Sequence, residues 1–146
     1  MLRAFAILLA FCGLAVGPAH ADVSLSSIGM GHGAGNAEAF RQFQAAVHQY
    51  SATGERFHID TNCPSACTMF LAVRNVCIDP GATLAFHAGG IMRGGTPNPR
   101  VTAQMLSTYK PALRQYLTSN HLMDTFEFHT ISGEEMIKRF GYPACR

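Results

Sequence analysis

The stretch Phe57-His58-Ile59-Asp60-Thr61-Asn62-Cys63-Pro64-Ser65-Ala66-Cys67-Thr68-Met69-Phe70-Leu71-Ala72-Val73 decides the fold class. Its start alternates apolar Phe57 and Ile59 with polar His58 and Asp60, the period of a short strand. Its end, residues 66–73, is a largely apolar run that is buried whichever way it turns. Between the two, Pro64 and Ser65 suit a helix entrance, where proline loses nothing by lacking an N–H and serine can cap. A strand running into a buried helix is the unit of an α/β domain.

The pattern extends in both directions. Upstream, residues 23–28 alternate apolar and polar and predict a strand. A glycine-rich turn follows, ending in Gly33-Ala34-Gly35, and Asn36 is placed to cap a helix. Phe40, Phe43, Val47 and Tyr50 then fall on one face of that helix, which Ser51-Ala52-Thr53-Gly54 ends. Downstream, residues 75–79 and 83–87 predict two more strands, separated by Pro80-Gly81. Residues 89–100 form a loop rich in Gly, Pro and Arg. Val101, Met105, Tyr109, Leu113 and Tyr116 mark a second long helix, which Pro111 must kink or restart. Ser132-Gly133-Glu134-Glu135 is a capping box, opening a last helix that stops at Gly141. The predicted order is β-α-β-α-β-β-α-α. Such alternation argues for a layered α/β fold with partly parallel strands.

Composition narrows the function. The 146 residues suit one domain; 48% are hydrophobic and 14% charged, and the net charge is +2. The charges are scattered, so no nucleic-acid partner is expected. The first 21 residues predict a secretory signal peptide. Arg3 precedes an apolar run of about 13 residues, and Ala19-His20-Ala21 offers the small residues of a cleavage site before Asp22. A bilayer span needs about 20 apolar residues. Residues 22–146 are therefore expected as a single periplasmic or secreted domain with no membrane anchor after cleavage.

Export sets the reading of the cysteines. Cys12 lies in the signal segment, leaving Cys63, Cys67, Cys77 and Cys145 for an oxidising compartment. Two disulfides are expected, and four cysteines allow three pairings. The tight spacing around the serine turn favours Cys63 with Cys67, leaving Cys77 for Cys145. The rival reading is a metal site built from Cys63, Cys67 and Cys77 with His58 or His87. A C-x3-C pair with a third cysteine nine residues on fits no common zinc pattern, so no metal and no other cofactor is expected.

Three segments can carry chemistry. A glycine turn leading into a helix, as at Gly33-Ala34-Gly35, exposes backbone N–H groups to an anion or oxyanion. Ser65 sits at a strand-to-helix junction, where the N–H of Ala66 can face a developing oxyanion. His87 ends a strand just before Ala88-Gly89-Gly90 and can act as a general base. Taken singly, each has a plain structural reading: a connecting turn, an N-cap and a hydrogen-bonded strand histidine.

The combination resembles the Clp protease proteolytic subunit and its periplasmic Clp-like relatives, within the crotonase-like fold. The serine comes 30 residues after Gly35, and the histidine 22 residues after the serine. The likeness spans residues 23–141 and includes the closing segment from Ile131 to Gly141. It implies a short version of a crotonase/Clp-protease-like layered β-α-β domain. It also implies Ser65 as nucleophile, His87 as base, and Gly35 and Ala66 as oxyanion donors. The cysteines flanking Ser65 look like the periplasmic branch. The family's catalytic aspartate corresponds to Phe128. Glu127 is adjacent, with Asp124 as the alternative, so His87 is oriented by one of these two carboxylates or by neither. The family's double glycine appears as Ala34-Gly35, and the chain is short for the fold.

The expectation is an exported serine hydrolase, peptidase-like, acting on a peptide or ester, with self-association in line with the family. The alternative is a catalytically degenerate Clp-like domain used for protein binding or assembly. A weaker third reading is a small-ligand binder that holds an anion at the glycine turn.

Overall fold

A computed structural model describes residues 22–28 and 37–146. The expected signal segment and the Gly33-Ala34-Gly35 turn lie outside the described residues. The described elements are β1 (Val23–Ser24), α1 (Ala37–Thr53), β2 (Phe57–Ile59), β3 (Asn62–Pro64), β4 (Val76–Ile78), β5 (Thr83–Phe86), α2 (Pro99–Ser107), α3 (Pro111–Ser119), β6 (His129–Ser132) and α4 (Gly133–Phe140), with 3-10 helices at Leu25–Ser27 and Ser65–Ala72.

The strands form two three-stranded sheets, so the fold is mixed α/β. The first has the order β1-β2-β4 and is parallel throughout. In the second, β5 is central, parallel to β3 and antiparallel to β6. From β2 to β5 the chain changes sheet at every strand: β2 and β4 lie in the first, β3 and β5 in the second. The C-terminal segment joins the first sheet by a parallel bridge from Ala144 to Ile78.

Two strands go beyond the sequence reading. Asn62–Pro64, of which only Pro64 is expected to have a role as part of a helix entrance, pairs with β5, and His129–Ser132 pairs with its other edge. Both are only three or four residues long, and their pairing comes from a central strand distant in sequence. Conversely, the strand predicted over residues 23–28 is only Val23–Ser24, followed by a 3-10 turn. Its serines supply the reason. Ser27 Oγ donates to the Ser24 carbonyl at 2.7 Å, and Ser26 donates from its amide and hydroxyl to Asp60. The local Ser27 bond competes with a ladder, and Asp60, 34 residues on, takes the Ser26 amide that a ladder would use.

The helices follow their local codes. Phe43 of α1 is buried, with Phe40, Val47 and Tyr50 packed beside it. Phe43 meets Phe70 edge-on at 5.6 Å, and Phe70 stacks on Phe57 at 4.5 Å, clamping the Ser65–Ala72 helix between α1 and β2. Pro111 restarts the predicted long helix, so α2 and α3 are separate, each with a proline in its first turn. Asn98 caps α2 by accepting from the Arg100 and Val101 amides. In α4, Ser132 Oγ accepts from the Glu135 amide at 3.1 Å, while the Glu135 side chain pairs with Arg139 instead of closing the box. Gly141 ends α4 with φ +69°. Gly133 has no room for a side chain, since a Cβ there would lie 2.1 Å from the Asp79 carbonyl oxygen.

Both expected disulfides are present. Cys63 and Cys67 are joined with their Cα atoms 5.2 Å apart, and Cys77 and Cys145 with theirs 5.0 Å apart. Among the described residues, no helix is long and apolar enough to cross a membrane.

Candidate active site

The site is organised around the junction of β3 with the helix that follows. Pro64 ends β3 in extended conformation, φ −89° and ψ 156°. Proline is tolerated here because β3 is an edge strand. At the next residue the chain turns sharply: Ser65 has φ +57°, a left-handed conformation shared among described non-glycine residues only by His121. A serine held there costs on the order of 1–2 kcal/mol relative to ordinary backbone. The helix then starts at Ser65 itself, with Pro64 in the capping position. Ser65 therefore does not cap, and among the described residues its hydroxyl has no hydrogen-bond partner. It is half-buried, as is Ala66.

The Cys63–Cys67 bond straddles this turn. Inside it, Thr68 donates from Oγ1 to the Ser65 carbonyl at 2.6 Å, and the same Oγ1 lies 2.6 Å from the Tyr109 hydroxyl. Thr68 and Tyr109 are both buried. A hydroxyl three residues along a helix commonly bonds back to the main chain, so Thr68 had a sequence signal. Tyr109, 41 residues further on, had none.

The pairing of β3 with β5 sets where His87 stands along the chain relative to this turn, and the Ser65 and His87 side chains are not hydrogen-bonded to each other. Pro64 stands beside Ala85, so Ser65 lies one residue past a partner that His87 follows by two. His87 is 2% exposed. Its Nδ1 lies 2.6 Å from the Ala88 carbonyl oxygen. A carbonyl can only accept, so Nδ1 carries the proton and Nε2 holds the free lone pair. Nε2 is buried and has no hydrogen-bond partner among the described residues. Burial pushes the imidazole below the ordinary histidine range, offset only in part by the Ala88 carbonyl, so His87 is neutral near pH 7. The segment after it is fixed on both sides. The Ala88 amide donates to the Thr125 carbonyl, and the Gly89 amide donates to Thr102 Oγ1.

Neither expected carboxylate is hydrogen-bonded to His87. Asp124 is exposed and pairs with His121 at 2.8 Å. Glu127 is exposed, and its amide donates to Thr125 Oγ1. Among the described residues, no carboxylate bonds to His87. The position matched to the family's aspartate does meet it: the Phe128 ring stands edge-on to the imidazole, with centroids 4.6 Å apart. Phe126 is further out, at 6.1 Å. Gly35, the other expected oxyanion donor, lies outside the described residues.

One set of metal-type donors comes together among the described residues, away from this turn. The ligand atoms of His58, Cys77 and Cys145 lie within 4.8 Å of one another. The two sulfurs are bonded to each other, so the cluster has no thiolate to offer a metal. His58 Nε2 is 3.1 Å from Asp22 Oδ2, close enough for an ion pair but not aligned as a hydrogen bond.

Compared with protein-family models and with curated proteins, the chain matches none of them.

Proposed function

We propose that this chain is an exported serine hydrolase of the Clp-protease-like, crotonase-like kind, peptidase-like in its chemistry. Ser65 is the nucleophile and His87 the base. The observation that carries the reading is the backbone of Ser65. A strained left-handed serine, whose hydroxyl has no partner among the described residues, between a strand and a buried helix has the geometry of a nucleophile elbow. Glycine would occupy the same turn without strain and asparagine with less. The reading gives the strain a purpose: it holds the hydroxyl out of the helix. Two disulfides support export.

In this reading Ser65 Oγ attacks the carbonyl carbon of a peptide or ester, and its proton passes to His87 Nε2. The oxygen that becomes negative is held by the Ala66 N–H, with the Gly35 N–H as second donor. Collapse of the tetrahedral intermediate breaks the bond to the leaving group, which takes the proton from His87. Water, deprotonated by His87, then releases the acyl group from Ser65. The Ala88 carbonyl does what a carboxylate does for tautomer and ring orientation, but it cannot offer a full charge to the imidazolium. Loss of the carboxylate from known triads lowers kcat by about 10⁴, so slow turnover is expected.

A second reading has support of its own. Phe128 in place of a carboxylate, together with exposed Ile91 (56%), Met92 (38%) and Phe128 (46%), suits a domain that has kept the fold for protein binding or assembly. A fluorophosphonate probe separates the two. The hydrolase reading requires covalent labelling at Ser65, abolished by Ser65→Ala and by His87→Ala, together with turnover of a small activated ester. Absence of both in the wild type leaves the binding reading.

A further inference from the structure

We infer that Thr68 and Tyr109 are positioning residues that aim the Ala66 N–H at the oxyanion. This inference rests on the hydrolase reading. The warrant is the planarity of one peptide unit. The Ser65 carbonyl and the Ala66 N–H belong to the same trans peptide plane and point in opposite directions across it. Whatever fixes the carbonyl therefore fixes the N–H. Thr68 Oγ1 holds the Ser65 carbonyl at 2.6 Å from inside the helix, which turns the Ala66 N–H outward. At the start of a helix that N–H has no intrahelical acceptor, and no described residue outside the helix accepts from it.

Tyr109 completes the chain. The single proton of Thr68 is spent on the Ser65 carbonyl, so the contact between the two hydroxyls must have Tyr109 as donor. The order is Tyr109 O–H to Thr68 Oγ1, and Thr68 O–H to the Ser65 carbonyl. Each bond polarises the next, and polarising the carbonyl makes the Ala66 N–H a better donor. Tyr109 is placed by the fold. It lies between α2 and α3, where its ring meets Phe86 edge-on at 5.4 Å, one residue before His87. Burial pushes its hydroxyl far above the ordinary tyrosine range, so it keeps its proton as donor. The chain thus joins the serine turn to the strand that carries the base.

The test uses Thr68→Val, which keeps the shape and removes the hydroxyl, Thr68→Ser, which keeps the hydroxyl, and Tyr109→Phe. Ester turnover, the rate of fluorophosphonate labelling at Ser65 and the Ala66 amide resonance are read for each. Deleting an oxyanion donor outright lowers kcat by about 10²–10³, so misaiming one should lower it about tenfold to a hundredfold in Thr68→Val. KM should stay within about twofold, because the lost interaction belongs to the transition state. Thr68→Ser should recover most of the rate. Tyr109→Phe should give a smaller loss and shift the Ala66 amide resonance in a folded protein, which covers the case of an unstable Thr68→Val. A wild type that labels, with Thr68→Val and Tyr109→Phe labelling equally fast, overturns this inference alone. A wild type that neither labels nor hydrolyses overturns the hydrolase reading and this inference with it.

Discussion

Phe128 stands edge-on to His87, ring centroids 4.6 Å apart and planes at 70°, where the resemblance places a carboxylate. The aromatic ring shields the imidazole and offers it no charge, and the Ala88 carbonyl takes the Nδ1 proton. Phe128→Asp should therefore raise the His87 pKa, because a carboxylate in reach favours the imidazolium. Titration of the His87 ring by NMR checks this; an unmoved pKa would mean that residue 128 does not sense the imidazole.

The two other carboxylates should be dispensable. Asp124→Asn removes an exposed pair with His121, and Glu127→Gln alters an exposed side chain. Each should change stability by less than about 1 kcal/mol and leave ester turnover within about threefold. A large loss of turnover from either would make that residue the missing member of a triad.

The burial of His87 makes stability sensitive to acid. Its folded pKa is depressed, so the unfolded chain binds the extra proton more readily. The stabilisation is whole above the ordinary histidine value of about 6.5 and is lost as pH falls through the lower folded value. Urea unfolding at pH 7.5 and pH 5 should show a larger loss for the wild type than for His87→Asn. Equal losses would show that His87 does not charge on unfolding.

Ser65→Gly asks whether the turn is strained for the sake of the hydroxyl. Glycine adopts φ +57° freely, which relieves about 1–2 kcal/mol, against about 0.5–1 kcal/mol for its greater freedom when unfolded. The net expectation is a gain of about 0–1.5 kcal/mol with complete loss of labelling. Ser65→Ala should also lose labelling, with no such gain. A Ser65→Gly variant less stable than the wild type would count against the strained-turn argument.

The two disulfides should separate stability from function. Replacing Cys77 and Cys145 by alanine opens a closure of 68 residues in sequence and should cost about 4 kcal/mol by the chain-entropy model. Replacing Cys63 and Cys67 opens a closure of only four, for about 2 kcal/mol. Labelling of Ser65 should show the reverse order, since only the Cys63–Cys67 bond straddles the turn. Thermal melts alongside probe kinetics would decide it.

Much of the fold was legible where the code is local. Ser132 and Gly141 bound α4, and Pro111 restarts a helix, because caps and proline act within a turn of themselves. The apolar face of α1 was readable from its period alone. The short strands were less so. β3 and β6 exist because β5 lies between them, and three or four residues carry too little pattern to announce that.

For the candidate site, the resemblance drawn from residue types and spacing offered Ser65, Ala66 and His87 as candidates, and the tight cysteine spacing favoured the two pairings that are present. They could not reveal the partner of the His87 ring. Every residue has a main-chain carbonyl, so only the bend of the chain after β5 shows that Ala88 supplies it. Nor could they join Tyr109 to Thr68 across 41 positions. Local propensities act over a few residues and are written in their order. The sign of φ at Ser65, the register of β3 on β5 and the hydroxyl chain behind the serine turn arise when distant segments compete for one buried space, and that competition is settled only in the packed molecule.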